Sequence, residues 1–209
     1  MNARETVLNR IRRATADLPA TRTAIPRSYL RHAPTVAPGD REGAVALLVE
    51  RLEEYGADVR RTDGPGLPAA VARALEPVRS TVVPDGLPEE WLTGWDGEVR
   101  RDAPPLPHTE LSATEAVVTT CAVAIAESGT LVLDGSPGQG RRAPTLLPDL
   151  HVCVVRAEQV VSAMPEAISH LDPRRPLTWI SGPSATADIE MIRVRGVHGP
   201  RRLTVLIAS

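Results

Sequence analysis

Ala116-Val117-Val118-Thr119-Thr120-Cys121-Ala122-Val123-Ala124-Ile125-Ala126 is an uncharged run of small and β-branched residues. A segment that is apolar at odd and even positions alike belongs between two covering layers. That is how strands of a parallel sheet read. The run predicts one buried strand over 116–126. On its N-terminal side the chain alternates: strand Ala57–Arg61, helix Leu67–Leu75, strand Ser80–Pro84, a short helix Pro88–Leu92, then an extended stretch from Gly97 to Arg101. On its C-terminal side come strand Gly129–Asp134, a Gly- and Arg-bearing loop over Ser136–Pro144, strand Leu150–Arg156, helix Glu158–Leu171, strand Leu177–Ser181, a short helix Ser184–Met191 and a last strand Arg201–Ala208. Strands alternating with helices predict an α/β fold, a mostly parallel sheet flanked by helices.

Further out the pattern changes. Val7, Leu8, Ile11 and Ala14 fall at helical spacing, so residues 2–16 read as a helix. Residues 18–39 hold Pro19, Pro26, Pro34 and Pro38 without periodicity and read as an extended arm. A helix over Asp40–Tyr55 follows, with Asp40 as N-cap, Ala44, Leu47, Leu48 and Leu52 as apolar face, and Gly56 as stop. The expected organisation is an N-terminal helix and Pro-rich arm over 1–39 and an α/β domain over 40–209, with Pro104, Pro105 and Pro107 separating the halves of that domain.

Composition excludes several chemistries. All 24 basic residues are Arg, so lysine Schiff-base chemistry and a P-loop are ruled out. Aromatics make up 2% with no Phe, against a base-stacking surface for nucleic acid. The two cysteines, Cys121 and Cys153, cannot supply four thiolates and form no C-x-x-C pair. They read as buried small hydrophobes in a reducing compartment. His32, His108, His151 and His170 show no metal-binding spacing, so no metal site and no cofactor is expected in this chain. The start, Met-Asn-Ala-Arg-Glu, lacks an apolar signal region, and no run reaches membrane-span length. A cytoplasmic protein without a membrane span is expected.

Three loops carry candidate chemistry. Glu127-Ser128-Gly129-Thr130 presents a carboxylate and a hydroxyl beside a glycine, or is simply a polar hairpin turn. Gly182-Pro183-Ser184-Ala185-Thr186-Ala187-Asp188-Ile189-Glu190 reads as a helix start in which Ser184 is the N-cap. Its free N–H groups and Thr186 would suit a carboxylate or phosphate. Gly196-Val197-His198-Gly199-Pro200-Arg201-Arg202 joins a titratable imidazole to two guanidiniums, and Arg141-Arg142 is a second such pair. Glu127, Asp188 and His198 are the candidate catalytic residues. Thr130, Arg141, Arg142, Ser184, Thr186 and Arg201 are the candidate anion-binding residues. They are expected to converge on one pocket outside the carboxyl ends of the strands.

Taken together these stretches resemble the LutC/YkgG lactate-utilisation family, also described as the LUD domain. The residues that carry the resemblance are Ile125–Thr130, Arg141-Arg142 with Leu147–Val152, Gly182–Glu190 and Gly196–Pro200, in order from about Glu115 onward. The family pattern often has Thr at the position of Ser128 and a basic residue at that of Ala185. The resemblance implies a fold related to the NagB/RpiA/CoA-transferase-like group. It also implies the non-iron–sulfur subunit of a multi-protein system oxidising L-lactate to pyruvate, one that binds a small organic anion or docks iron–sulfur partner subunits. The residues themselves leave open a stand-alone isomerase or CoA-transferase-like enzyme with Glu127 as base or nucleophile, and a structural or regulatory binding module.

Overall fold

The computed structural model describes residues 2–17, 33–187, 193–195 and 198–209. In chain order the helices are α1 (Ala3–Ala14), α2 (Arg41–Glu54), α3 (Leu67–Leu75), α4 (His108–Ser112) and α5 (Met164–His170). The strands are β1 (Asp58–Thr62), β2 (Ser80–Val83), β3 (Glu98–Arg101), β4 (Ala116–Thr120), β5 (Val123–Ile125), β6 (Thr130–Leu133), β7 (Leu150–Arg156), β8 (Val160–Val161), β9 (Thr178–Ile180), β10 (Ala185–Ala187), β11 (Arg193–Arg195) and β12 (Arg202–Ala208).

Six strands form a sheet in the order β1-β12-β7-β4-β2-β3, and every neighbouring pair is parallel. Side chains along a strand alternate between its faces, and β7 shows where each face goes. Cys153 and Val155 pack with Ala44, Val45, Leu48 and Leu52 of α2, whereas Leu150, Val152 and Val154 pack with Leu67, Val71, Ala74 and Leu75 of α3. The sheet is therefore sandwiched between helices, as the α/β reading requires. Asp40 caps α2 by accepting the Gly43 N–H at 2.9 Å.

A second, four-stranded sheet has the order β8-β5-β6-β9, antiparallel at β5-β6 and β6-β9. It explains why 116–126 is not one strand. The run leaves the central sheet after Thr120 and enters the second sheet at Val123. In the bend, the Ala122 N–H donates to Val132 O at 2.8 Å. Both halves are buried, so hydrophobicity alone cannot mark the change of sheet.

Two further expectations are corrected. The helix over Glu158–Leu171 is a 3-10 turn, then β8, then α5 from Met164. Pro165 fits only the first turn of a helix, because it has no N–H to donate and its ring clashes with the preceding turn. The helix over Ser184–Met191 is instead a strand at its described start. β10 pairs antiparallel with β11, and Ser184 does not cap a helix, because the chain enters β10 at Ala185 and the Ser184 Oγ instead accepts the His198 N–H at 3.2 Å.

The arm reaches into the core at its end. Ala33 and Val36 are buried in the cluster formed with α2, and the Ala33 N–H donates to Ser162 Oγ at 3.3 Å. The packed body thus begins before Asp40. In contrast, none of α1 is buried, and Val7 and Ile11 stand exposed. A chain beginning at Asp40 is expected to be less stable than one beginning at Arg31 by about 2 kcal/mol, the worth of burying one valine and one alanine. Urea unfolding of the two chains checks this, and equal midpoints would return the boundary to residue 40.

Candidate functional site

His151 is the least expected residue in β7. It is the single polar side chain between Leu150 and Val155, and it is 1% exposed. A polar ring in such a place must find a hydrogen-bond partner. It finds one on the neighbouring strand β4, where Thr119 Oγ1 lies 2.8 Å from His151 Nε2. Burial removes the water that would solvate an imidazolium, and it pushes the His151 pKa down to about 4. The ring is therefore neutral at neutral pH, with one nitrogen able to donate and the other able to accept.

This ring lies at the inner end of a cavity of about 290 Å³. The outer wall is β9 and the following loop to Ala185, with Trp179, Ser181 and Ser184 among the lining. His198, Gly199 and Pro200 close a second side, and Arg142, Thr145 and Leu146 a third. Two local interactions shape the walls. Ser184 Oγ accepts the His198 N–H at 3.2 Å, which ties the two loops together. Gly182 has φ +81°, and a Cβ there would sit 2.5 Å from Tyr55 Cβ, so only glycine lets this loop lie against the end of α2.

Among the described residues, Arg142 is the arginine that lines the site. It is exposed, it lines the cavity, and its guanidinium has no hydrogen-bond or ion-pair partner among the described residues. Arg141, one position earlier, is fully engaged. Its Nε donates to Asp102 Oδ2 at 2.7 Å, and its Nη2 donates to Asp102 Oδ1 at 2.9 Å and to Leu106 O at 2.7 Å.

The family model of the LUD domain matches residues 90–208, which include every residue lining the cavity. The chain belongs to the LUD domain family. A Deinococcus radiodurans protein named Lactate utilization protein C is 48% identical over 181 residues, 84% of each chain. A protein of the same name from Shouchella clausii is 37% identical over 99 residues, 44% of this chain and 43% of the relative. Among solved structures, the crystal structure of a DUF162 family protein from Deinococcus radiodurans superimposes with a TM-score of 0.69. It is 41% identical, and the overlap covers 81% of this chain and 98% of that one.

Within the LUD domain, the residues singled out from the sequence divide into groups. Arg142, Ser184 and His198 line one cavity. Thr130 reaches its edge indirectly. Its Oγ1 lies 2.7 Å from Ser181 Oγ and 2.8 Å from Ser128 Oγ, a chain of hydroxyls ending at a lining residue. Glu127 is exposed in the β5–β6 turn and is not part of the lining. That turn needs Gly129, at φ +57° with Arg51 Cβ only 2.9 Å from where its own Cβ would stand, so it reads as a packed hairpin against α2. Arg141 is held by Asp102. Arg201 forms an ion pair with Asp149 through both guanidinium contacts and lies outside this cavity. The pairing holds the Asp149 carboxyl below its usual pKa. The backbone of Thr186 lies in β10, paired with Val194. Asp188 falls outside the described residues.

The cavity's place in the LUD domain also differs from the expected one. His151 and Leu203, its contributors from the central sheet, are the second residues of β7 and β12. The site therefore lies over the amino ends of these strands, because β9 of the second sheet forms its outer wall there. Thr119 and His151 were not singled out from the sequence. The available signal was a histidine and a threonine in otherwise apolar, strand-like runs. Among the described residues, no group of three or more His, Cys, Asp or Glu side chains is placed to hold a metal ion, and no helix is long and apolar enough to cross a membrane.

Proposed function

We propose that this chain acts in lactate utilisation by binding a small organic carboxylate in the cavity beside Arg142. The observation that carries the reading is a guanidinium at a cavity wall without a partner among the described residues. Arg is planar, permanently charged and suited to grip a carboxylate with two parallel hydrogen bonds. His198 and the Ser184 hydroxyl line the same space and add polar contacts. The choice of lactate or its oxidised form rests on relatives named Lactate utilization protein C. In this reading the chain is a non-iron–sulfur subunit of an L-lactate oxidation system in the cytoplasm. It needs no cofactor of its own, and partner subunits carry the iron–sulfur clusters. Its two cysteines are free and buried in the core.

Trp179 lines the cavity and is 41% exposed, so its fluorescence offers a direct readout. Titration of the chain with L-lactate and with pyruvate is expected to give saturable binding. Arg142→Met should weaken it by about 10- to 100-fold, the worth of a hydrogen bond to a charged group, with unchanged unfolding. Unchanged affinity in that variant would refute the carboxylate site. Capture of the full-length chain from its native source, together with proteins bearing iron–sulfur clusters, tests the partner assignment.

A further inference from the structure

We propose that the buried Thr119–His151 pair recognises the oxygen on the second carbon of the bound acid, making the cavity selective for 2-hydroxy and 2-oxo acids over plain carboxylates. This deepens the reading of the cavity as a carboxylate site and rests on it.

The argument begins with hydrogen-bond accounting. Thr119 and His151 are 0% and 1% exposed, on adjacent parallel strands. Thr119 satisfies Nε2 of the ring. The other nitrogen, Nδ1, has no partner among the described residues. Nor is it sealed in the core, since Arg60 Nη1 is the one fully buried, unpartnered side-chain atom among the described residues. The ring lines the cavity, and Nδ1 is the ring nitrogen left without a partner there among the described residues. A polar atom placed at the bottom of an apolar sheet face awaits a ligand atom or water.

The chemistry of the pair decides what that atom is. A neutral imidazole has one N–H and one bare nitrogen, and a threonine hydroxyl either donates or accepts. If Thr119 donates its O–H to Nε2, then Nδ1 carries the proton and donates to a keto oxygen. If Nε2–H donates to Thr119 Oγ1, then Nδ1 is bare and accepts from a hydroxyl. The two arrangements have the same net charge and differ by a tautomer and a hydroxyl rotation. The pair thus suits an alcohol and the corresponding ketone without importing a proton. Burial supports this by holding the ring neutral, with its pKa near 4. Arg142 and His198 are the charged or titratable side chains that share the cavity lining with the ring among the described residues, and Cys153 is the register partner of Thr119 on the strand of His151. The carboxylate is placed at Arg142 and the second-carbon oxygen at His151, two residues that line the same cavity. Thr119 is the positioning residue, acting through the ring.

The test compares L-lactate with propionate, which keeps the carboxylate and lacks the hydroxyl. The full chain is expected to bind lactate at least about 10-fold more tightly, because a site built to hydrogen-bond a hydroxyl rejects the analogue without it. His151→Phe should bring the two affinities within about 3-fold of each other, with the loss falling mainly on lactate. Thr119→Val should narrow the ratio, and Thr119→Ser should restore it. These last two keep the test available if the buried Phe prevents folding. In the unaltered chain, ¹⁵N spectra of the histidine rings should show one Nδ1 resonance shifted by lactate and not by propionate. Equal affinity for both acids in the unaltered chain, or equal loss of both in His151→Phe, overturns the inference and leaves the carboxylate site standing. Failure of both acids to bind overturns the two together.

Discussion

Arg141→Met is expected to destabilise the protein by about 3 kcal/mol, the low end of the loss when one partner of a buried ion pair is removed. The Asp102 side chain is 3% exposed, while that of Arg141 is 34% exposed. Deleting the guanidinium therefore leaves a buried carboxylate whose remaining partner is the Leu106 N–H at 2.8 Å. It also removes the bond to Leu106 O that pins the loop after β3. Partial exposure of Arg141 softens the loss, which is why the low end is expected. Arg141→Lys should recover only part of it, since an ammonium cannot reproduce the forked geometry. Urea unfolding followed by tryptophan fluorescence gives the magnitude. Lactate titration on the same variant should show nearly unchanged affinity. Arg142→Met is expected to do the opposite, losing affinity and keeping stability. An Arg141 variant of full stability would mean that the Asp102 pair does not hold the loop.

Acid should weaken the fold through His151. The sign follows from the proton count. The folded ring has its pKa depressed to about 4, against 6.5 for an unperturbed histidine. Between those values the unfolded chain holds a proton that the folded chain lacks, so stability falls as the pH falls through that window. The full amplitude is about 3 kcal/mol, of which about 2 kcal/mol is lost between pH 7 and pH 5. Below about pH 4 both states are protonated and the slope from this residue ends. Carboxyls with lowered pKas, such as Asp134 and Asp149, act mainly at the acid end. The window from pH 7 to pH 5 therefore isolates the histidine. His151→Phe should flatten the stability curve there, whatever its effect at neutral pH. An equally steep curve in that variant would assign the acid sensitivity to another group.

The same residue shows where reading the sequence stops. A histidine is tested there against its sequence neighbours, and His151 has no metal-ligand spacing. Its partner Thr119 lies far away in the chain and is brought alongside by pairing of β4 with β7. Arg141 and Arg142 make the point more sharply. They are chemically identical and adjacent, yet the fold gives one a buried carboxylate and leaves the other at a cavity wall. Ser184 carries the local signature of a helix cap, but its Oγ accepts the His198 N–H of another loop and a strand follows it. A contact between loops has overridden a local preference.

What the sequence by itself determined was the set of elements with an unambiguous period and clear stops. α3 and β7 have the very bounds expected, and α2, β2 and β12 lie within a residue or so of them. These are segments whose hydrophobic spacing and Gly, Pro or Asp punctuation encode conformation locally. The parallel α/β architecture follows from their alternation. Tertiary structure alone decided that 116–126 crosses from one sheet to another, that Ala33 and Val36 belong to the core, and that the cavity lies over the amino ends of β7 and β12. In each case the deciding interaction joins residues remote in the chain, and a period-2 or period-3.6 pattern records only which side of an element is buried, never what it is buried against.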